Sequence, residues 1–168
     1  MKRLAALSIL TLLCCSSLLA QEYSVTSPDG HISLTVSNQA TLSYSVQLDG
    51  KTLIAPSPMG FQLKNEPDMK GNFKVENDAN VKSGVESWTP VVRNKHAECR
   101  VPYQELTLNL KEKDGKCRRM DVAFRVMNDG VAFRYTLYGV PVLGNRQITK
   151  ELTGYAVPEG SNLWIANF

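Results

Sequence analysis

Apolar and polar residues alternate with a period of two along most of this chain, which restricts it to β-structure. From Glu22 onward, the sequence carries no convincing apolar stripe with the 3.6-residue period of a helix. Alternation over 32–36 and again over 42–48 predicts two strands, each with one buried face. The sequence therefore indicates an all-β fold.

The dipeptide Asp49-Gly50 directly follows the second strand and predicts a hairpin. A two-residue type I′ loop would place Val46 opposite Leu53, so that an apolar residue meets an apolar residue across the pair. Further Asp-Gly dipeptides at 29, 114 and 129, and eight prolines between the apolar runs, are typical of an antiparallel β-sandwich. We predict one such domain.

The segment 105–138, which no proline interrupts, predicts a three-stranded antiparallel meander. The segment 65–80 is polar and predicts an exposed loop around one short strand, Phe73–Val75. The apolar residues of the meander are Leu106, Leu108 and Leu110, then Met120, Val122, Phe124 and Val126, then Val131, Phe133, Tyr135 and Leu137.

The register of the meander follows from the rule that cross-strand partners share a face. A two-residue loop at Asp114-Gly115 would set Leu110 against Arg119, so that apolar and charged residues would share one face and no apolar core face would form. An odd connection of about three or five residues instead sets Leu110 against Met120, with Leu108 and Leu106 following in step. The next turn, at Asn128-Asp129-Gly130, sets Val126 against Val131 and Phe124 against Phe133 with an even loop.

Residues 1–20 have the three parts of a secretory signal: a basic start, an apolar run over 4–13, and small residues ending at Ala20. We expect cleavage after Ala20, which would leave residues 21–168 and a periplasmic protein. A membrane span is the rival interpretation, but roughly ten apolar residues are too few to cross a ~30 Å hydrocarbon core. No later segment is apolar enough to span either.

Lipidation of Cys14 or Cys15 is a third interpretation of the same segment. It is weakened because Leu13 stands before Cys14, where a small residue is wanted.

The charge of the chain does not favour a nucleic-acid partner. There are 19 basic and 16 acidic residues, and two of the basic ones, Lys2 and Arg3, lie in the signal. Its removal would leave 17 basic against 16 acidic residues. A nearly neutral protein has no electrostatic footprint for nucleic acid.

Two of the four cysteines, Cys99 and Cys117, lie outside the signal and would enter an oxidising compartment. The register places Cys117 at the turn end of its hairpin and Cys99 beyond the far end of the partner strand. At ~3.4 Å of rise per residue the two are tens of ångströms apart, beyond disulfide reach unless Pro102 bends the strand back. We predict free thiols. The chain has neither a CxxC motif nor a His/Cys cluster for zinc.

Few residues suggest chemistry. His31 and His96 are the only histidines, and neither lies in a nucleophile motif. We predict a solvated surface histidine at 31 and a polar-loop histidine at 96. A glycosidase pair needs two carboxyls ~5 to 9.5 Å apart. The obvious carboxylates lie in predicted turns or on outward strand positions, where we expect them to be solvated: Glu112, Asp114, Asp121, Asp129 and Glu151.

Trp88 and Trp164 could stack on sugar rings, but indoles in apolar settings are more often core or interdomain anchors. The pair Arg118-Arg119 could bind a carboxylate or another anion. An exposed ion pair is the simpler interpretation, with Arg119 on the same polar face as Asp121.

The segment from Glu105 to Tyr135, above all Arg-Val-Met-Asn-Asp-Gly-Val-Ala-Phe-Arg-Tyr at 125–135, resembles the first domain of glycoside hydrolase family 97. The flanks resemble the same domain in the same order, so the resemblance covers nearly all of 21–168. The matching flanks are 27–36, 44–51, 57–61, 87–90, 148–152 and 163–166.

This resemblance implies an exported bacterial α-glycosidase acting on α-glucosides or α-galactosides. Such an enzyme begins with a galactose-mutarotase-like β-super-sandwich, continues into a catalytic (β/α)8 barrel and ends in a small β domain. The barrel supplies the acid, the base or nucleophile and most calcium ligands, and the super-sandwich adds a glutamate beyond the segment that 163–168 resembles. We therefore carry over no catalytic, cofactor or metal residue, and expect an incomplete super-sandwich with exposed edges.

The leading hypothesis is a non-catalytic scaffold domain that supports the barrel and forms one wall of the sugar site. The alternative is a free-standing carbohydrate-binding sandwich that binds α-linked oligosaccharide through Trp88 or Trp164. A third hypothesis is a small interaction protein without affinity for sugar.

Overall fold

The computed structural model describes residues 21–77, 79–93, 95–113, 118–138 and 147–165, and within them all regular structure is β-strand. None of these residues belongs to a helix that could span a membrane. The proposed signal, Asp114-Gly115 and Cys117 lie outside the described ranges. The strands are β1 (Glu22–Thr26), β2 (Ile32–Asn38), β3 (Leu42–Leu48), β4 (Lys51–Pro58), β5 (Phe61–Leu63), β6 (Phe73–Val75), β7 (Asn80–Trp88), β8 (Cys99–Glu112), β9 (Arg119–Met127), β10 (Gly130–Leu137) and β11 (Ile148–Glu151).

The first sheet is antiparallel in the order β1-β2-β3-β4. The β3–β4 hairpin turns at Asp49 and Gly50, whose φ angles of 49° and 76° are both positive, as a type I′ turn requires. The predicted turn is therefore confirmed.

The predicted pairing of Val46 with Leu53 is wrong. Val46 lies opposite Ile54, because an irregularity between Val46 and Gln47 adds one residue to β4. The half-buried Ile54 packs against the core, whereas Leu53 is exposed. An alternating pattern does not reveal such a bulge.

The second sheet has the order β10-β9-β8-β6, and β7 also pairs with β8. Leu110 lies opposite Met120, and Leu108 opposite Val122, as predicted. Val126 lies opposite Val131, and Phe124 and Phe133 also pair. The meander and its register are confirmed.

Strand β8 is longer than predicted and pairs with three strands. Its first half lies beside β7, from Cys99 opposite Trp88 to Thr107 opposite Asn80. Its last residues pair with β6. Pro102 does not bend the strand back, and it lies within the continuous register opposite Val85.

The segment 65–80 is less exposed than its polar composition predicts. The short strand Phe73–Val75 is confirmed, and Phe73 is buried. Met69 is also buried and forms a bridge with Phe61. Two apolar side chains therefore hold this polar segment against the body of the domain.

The core lies between the two larger sheets, where β1 contacts β8 and β2 contacts β9. Leu34 and Val36 of the first sheet and Leu108 of the second are fully buried. Every second residue of β2, of β9 and of the second half of β8, from Leu106 onward, is buried, as sheets packed face to face require. The predicted all-β antiparallel sandwich is confirmed.

Aromatic rings close the sandwich on one side. Tyr44, Phe124 and Phe133 contact one another, and the Tyr44 ring centroid lies 6.2 and 5.9 Å from those of Phe124 and Phe133. Phe61 meets Tyr135 edge-on at 4.7 Å. Burial raises the pKa of Tyr44 and Tyr135 to about 12, so both phenols stay neutral and serve as packing groups.

Candidate functional site

The last described segment runs along the sandwich edge before it ends in exposed apolar residues. Strand β11 pairs with β5, and the Gly154 N–H donates to the Pro58 carbonyl at 2.9 Å. The Tyr44 hydroxyl donates to the Gly154 carbonyl at 3.0 Å. These bonds attach β11 to β5 and Gly154 to the first sheet, and the Ala55 N–H, which donates to the Ala156 carbonyl, extends the attachment to residue 156.

Beyond this attachment lies an apolar segment, Leu163-Trp164-Ile165, which we call the terminal apolar segment. All three side chains are exposed, and Trp164 is 97% exposed. A second exposed group, Trp88 with Val91 and Val92, follows the end of β7. Several large apolar side chains within a few residues of each other mark a surface that another protein element covers.

Core or interdomain positions are predicted for the two tryptophans, and the core position is wrong for both, because neither is buried. Trp88 is 47% exposed at the end of β7, and Trp164 is almost fully exposed. The apolar neighbours that suggested burial are themselves exposed. The interdomain and sugar-stacking interpretations both remain compatible with this exposure.

A polar cluster occupies the outer face of the second sheet around Arg125. Its Nε donates to Glu105 at 2.6 Å and its Nη1 to Glu86 at 3.0 Å. Its guanidinium also lies 4.3 Å from the centroid of the Tyr103 ring. The hydrogen bond to Glu105 raises the pKa of Arg125 further above its ordinary value.

This cluster is not a glycosidase pair. The two carboxylates, Glu86 and Glu105, converge on one guanidinium, which fills the space that a glycosidic oxygen and water would need. The arrangement instead joins β7, β8 and β9 across the outer face.

Arg118 binds carboxylates, which is one of the roles considered for it from the sequence, but in a buried cluster that the sequence does not predict. Its side chain is 1% exposed, and it binds Glu112, which is 4% exposed, through two nitrogens. Its Nη1 also donates to Glu66 at 3.2 Å and to the Pro67 carbonyl at 2.9 Å. The cluster attaches the β8–β9 connection to the loop before β6.

The predictions for Glu112 and Arg118 as exposed residues are therefore wrong. Glu112 is not a solvated carboxylate, because its side chain follows the buried alternation of β8 into the interior. Arg118 is not an exposed ion-pair partner either. A pattern of Lys-Glu-Lys beside a predicted turn offers no local sign of burial, and the second acidic partner, Glu66, is distant in the sequence.

Arg119 does share the outer face with Asp121, as predicted, but its ion pair is with Glu76 at 3.3 Å. The Tyr138 hydroxyl donates to Asp121 at 2.5 Å, and the carboxylate raises the pKa of this phenol. These groups border a cleft that is open to solvent. Asp129 and Glu151 are exposed, in agreement with their prediction as solvated carboxylates.

The histidines lie on the surface, as predicted. The His31 Nδ1 lies 2.6 Å from Asp49 Oδ1, and this bond raises the pKa of the imidazole. His96 is exposed in a loop. Cys99 is a free cysteine at the start of β8, as predicted.

Within the described ranges, no three His, Cys, Asp or Glu side chains are grouped so that they could hold a metal ion. We therefore assign no calcium ligand to this part of the chain. Its polar clusters are ion pairs with arginine, which a cation would have to displace.

Fold and surface together define a β-sandwich domain with polar clusters on one sheet and exposed apolar residues at its ends. A family model described as glycosyl-hydrolase 97 N-terminal matches residues 25–168. The chain belongs to this family.

Known relatives are longer enzymes. A retaining α-galactosidase of Bacteroides thetaiotaomicron is 31% identical over 159 residues, which cover 94% of this chain and 22% of that enzyme. Solved structures of a family 97 enzyme from Pseudoalteromonas sp. strain K8, including complexes with panose and acarbose, are 30% identical with a TM-score of 0.73. They match 82% of this chain and 20% of that enzyme.

A β-arabinopyranosidase structure matches similarly, with 30% identity and a TM-score of 0.71 over 83% of this chain. The match covers only 22% of the β-arabinopyranosidase chain. The chain thus spans about a fifth of the length of these relatives.

Proposed function

We propose that the chain is the non-catalytic N-terminal scaffold domain of an exported α-glycosidase that degrades α-glucosides or α-galactosides. The observation that carries the proposal is the terminal apolar segment: three large exposed side chains at the end of the family match. Apolar surface of this kind is stabilised when another layer covers it. In the complete enzyme, that layer would be the rest of the super-sandwich and the catalytic (β/α)8 barrel.

The polar groups support a role without chemistry of its own. Arg118 and Arg125 each hold two acidic side chains, and each cluster joins separate elements of the sandwich. Such pairs position strands, whereas a glycosidase needs an acid and a second carboxylate that are free to meet the sugar. Calcium, which the resemblance implies for the complete enzyme, would be bound by residues that we do not assign here.

A chimera tests the scaffold role directly. Residues 21–168 would replace the matching N-terminal part of the B. thetaiotaomicron α-galactosidase. We expect an active enzyme, and we expect Trp164→Ser to lower its melting temperature by several degrees without changing KM, since burial of an indole contributes several kcal/mol. Arg134→Ser, an exposed change on β10, is the control.

An inactive but folded chimera, or a Trp164→Ser chimera with unchanged stability, would contradict the scaffold role. A rise in KM at unchanged stability would instead support the alternative carbohydrate-binding role. The isolated chain should not turn over nitrophenyl α-glucoside or α-galactoside, and any true turnover refutes a non-catalytic domain.

The carbohydrate-binding alternative is favoured by one observation, the exposure of both indole rings. Titration of α-linked oligosaccharides against tryptophan fluorescence distinguishes it. A binding module responds with a saturable change that Trp88→Phe or Trp164→Phe removes, and a scaffold domain does not respond.

Export is tested separately. We expect the mature chain to be recovered from the periplasm with Gln21 at its N-terminus, as determined by mass spectrometry. A lipid-modified Cys14 or Cys15 in the mature product would favour lipoprotein processing instead.

A further inference from the structure

We propose that β7 is a self-complementary edge through which two copies of this chain join their second sheets. In the described ranges, β7 pairs with β8 on one side and with no strand on the other. An edge strand presents unpaired N–H and C=O groups, which another extended strand can satisfy.

Apart from two charged side chains, Lys82 and Glu86, strand β7 has few of the features that block edge pairing. It is nine residues long, contains no proline, and keeps an unbroken register with β8 from end to end. All of its residues except Gly84 are exposed. The strand is therefore accessible, regular in register and long enough for an extended ladder.

The charges of β7 select a second copy as the occupant. Only two residues are charged, Lys82 and Glu86, and they lie two positions on either side of Gly84. When two copies pair antiparallel about Gly84, each Lys82 faces Glu86 of the other copy. The same register uses all nine residues, so the longest ladder is also the charge-matched one.

Lys82 and Glu86 lie on the outer face of the sheet, opposite Glu105 and Val101 of β8. In this register Gly84 of one copy lies opposite Gly84 of the other copy. Because opposite residues point to the same face of a sheet, the outer faces of both copies lie on the same side of the joined sheet. Glu86 is oriented by its bond to Arg125 and remains largely exposed, so it has room for a second cation. Lys82 is exposed as well.

Other edge strands of the two larger sheets lack this symmetry. Each carries charge of one sign only, so self-pairing sets no opposite charges against each other. The charged residues are Glu22 in β1, Lys51 in β4, Lys74 in β6 and Arg134 in β10.

Charge exchange tests the pairing. We expect sedimentation velocity of the purified chain to show a monomer–dimer equilibrium at concentrations of about 1–100 µM, the range of modest interfaces. Each substitution changes both symmetry-related pairs of the dimer and sets like charges against each other. Lys82→Glu and Glu86→Lys should therefore each weaken dimerisation at least about tenfold. Mixing the two variants restores opposite charges in a heterodimer, and we expect the association to return.

Lys74→Glu, on β6 of the same sheet, is the matched control and should leave the dimer intact. Circular dichroism establishes that each variant is folded. Glu86→Lys also loses the bond to Arg125, so Lys82→Glu carries the test if Glu86→Lys does not fold.

A wild-type chain that stays monomeric throughout this range overturns the proposal and leaves β7 to a strand from elsewhere in a longer polypeptide. A dimer that tolerates both reversals, or a mixture that associates no better than either variant alone, also overturns it. None of these results depends on glycosidase activity, so the proposed scaffold function can fail or hold independently.

Discussion

Arg118 shows how a single residue can hold two distant parts of the chain. Its guanidinium binds Glu112 at the end of β8 and reaches Glu66 and the Pro67 carbonyl in the loop before β6. A planar donor group with several N–H bonds suits this arrangement, because it can satisfy a buried carboxylate bidentately and still donate elsewhere.

Removal of Arg118 should therefore be costly. We expect Arg118→Met to lower the free energy of unfolding by about 3–5 kcal/mol, because it leaves the Glu112 carboxylate buried without a cation. Arg119→Met, at the next position but in an exposed ion pair, should cost at most about 1 kcal/mol. Urea denaturation measures both, and equal losses would contradict the buried cluster.

A double variant separates the ion pair from the packing. Arg118→Met combined with Glu112→Leu removes both charges, and we expect it to recover much of the stability lost in Arg118→Met. If the double variant were the least stable of the set, buried charge would not be the cause.

His31 provides a pH-dependent contact at the surface. Its bond to Asp49 raises the pKa of the folded imidazole above that of the unfolded chain. The protonated pair therefore stabilises the fold fully below the unfolded pKa, near 6.5, and this contribution disappears as the pH rises through the folded pKa.

We expect an NMR titration of His31 to show a midpoint above the ordinary value, and Asp49→Asn to lower it. The substitution retains the turn, since Asn-Gly suits a type I′ hairpin as well as Asp-Gly. Glu151→Gln, which alters a distant exposed carboxylate, is the control. An unchanged midpoint in Asp49→Asn would refute the contact.

At the scale of elements, the burial of each leucine in the second sheet determines how much its side chain contributes to the free energy of unfolding. Leu108 on β8 is fully buried between the sheets, whereas Leu137 at the end of β10 is 41% exposed. We expect Leu108→Ala to cost about 2–5 kcal/mol and Leu137→Ala about 1 kcal/mol or less. Thermal or urea unfolding measures the pair, and similar values would contradict the packing.

The meander could be derived from its pattern because its pairings are local. Its apolar residues must share one face, and only an odd β8–β9 connection allows this. The partnership of β7 with β8 could not be derived in this way. Alternation assigns Val81 and Val85 to a face but does not identify the neighbouring strand.

The bulge opposite Val46 has a similar explanation. Local alternation predicts a continuous hairpin, but the first sheet accommodates one extra residue in β4 and places Ile54 against the core. The predicted register, with Leu53 opposite Val46, differs from the observed one by a single position. The observed register is the one in which Ile54 packs against the core.

For the whole molecule, the fluorescence of Trp164 reports whether another part of a longer enzyme covers the terminal apolar segment. In a Trp88→Phe variant, Trp164 is the remaining tryptophan, and we expect acrylamide to quench it nearly as well as free tryptophan because the side chain is almost fully exposed. In the α-galactosidase chimera, quenching of Trp164 should fall severalfold. Equal quenching in both contexts would show that nothing covers this segment.

The sequence by itself determined the all-β class, the Asp49-Gly50 turn, the short strand β6 and the register of the meander. Each depends on contacts between near neighbours or on a period that one buried face imposes. Only the tertiary structure decided that Glu112 and Arg118 are buried, that Trp88 and Trp164 are exposed, and that β7 is an edge strand among the described residues. Burial depends on which distant segment covers a side chain, and local spacing in a sequence does not encode that partner.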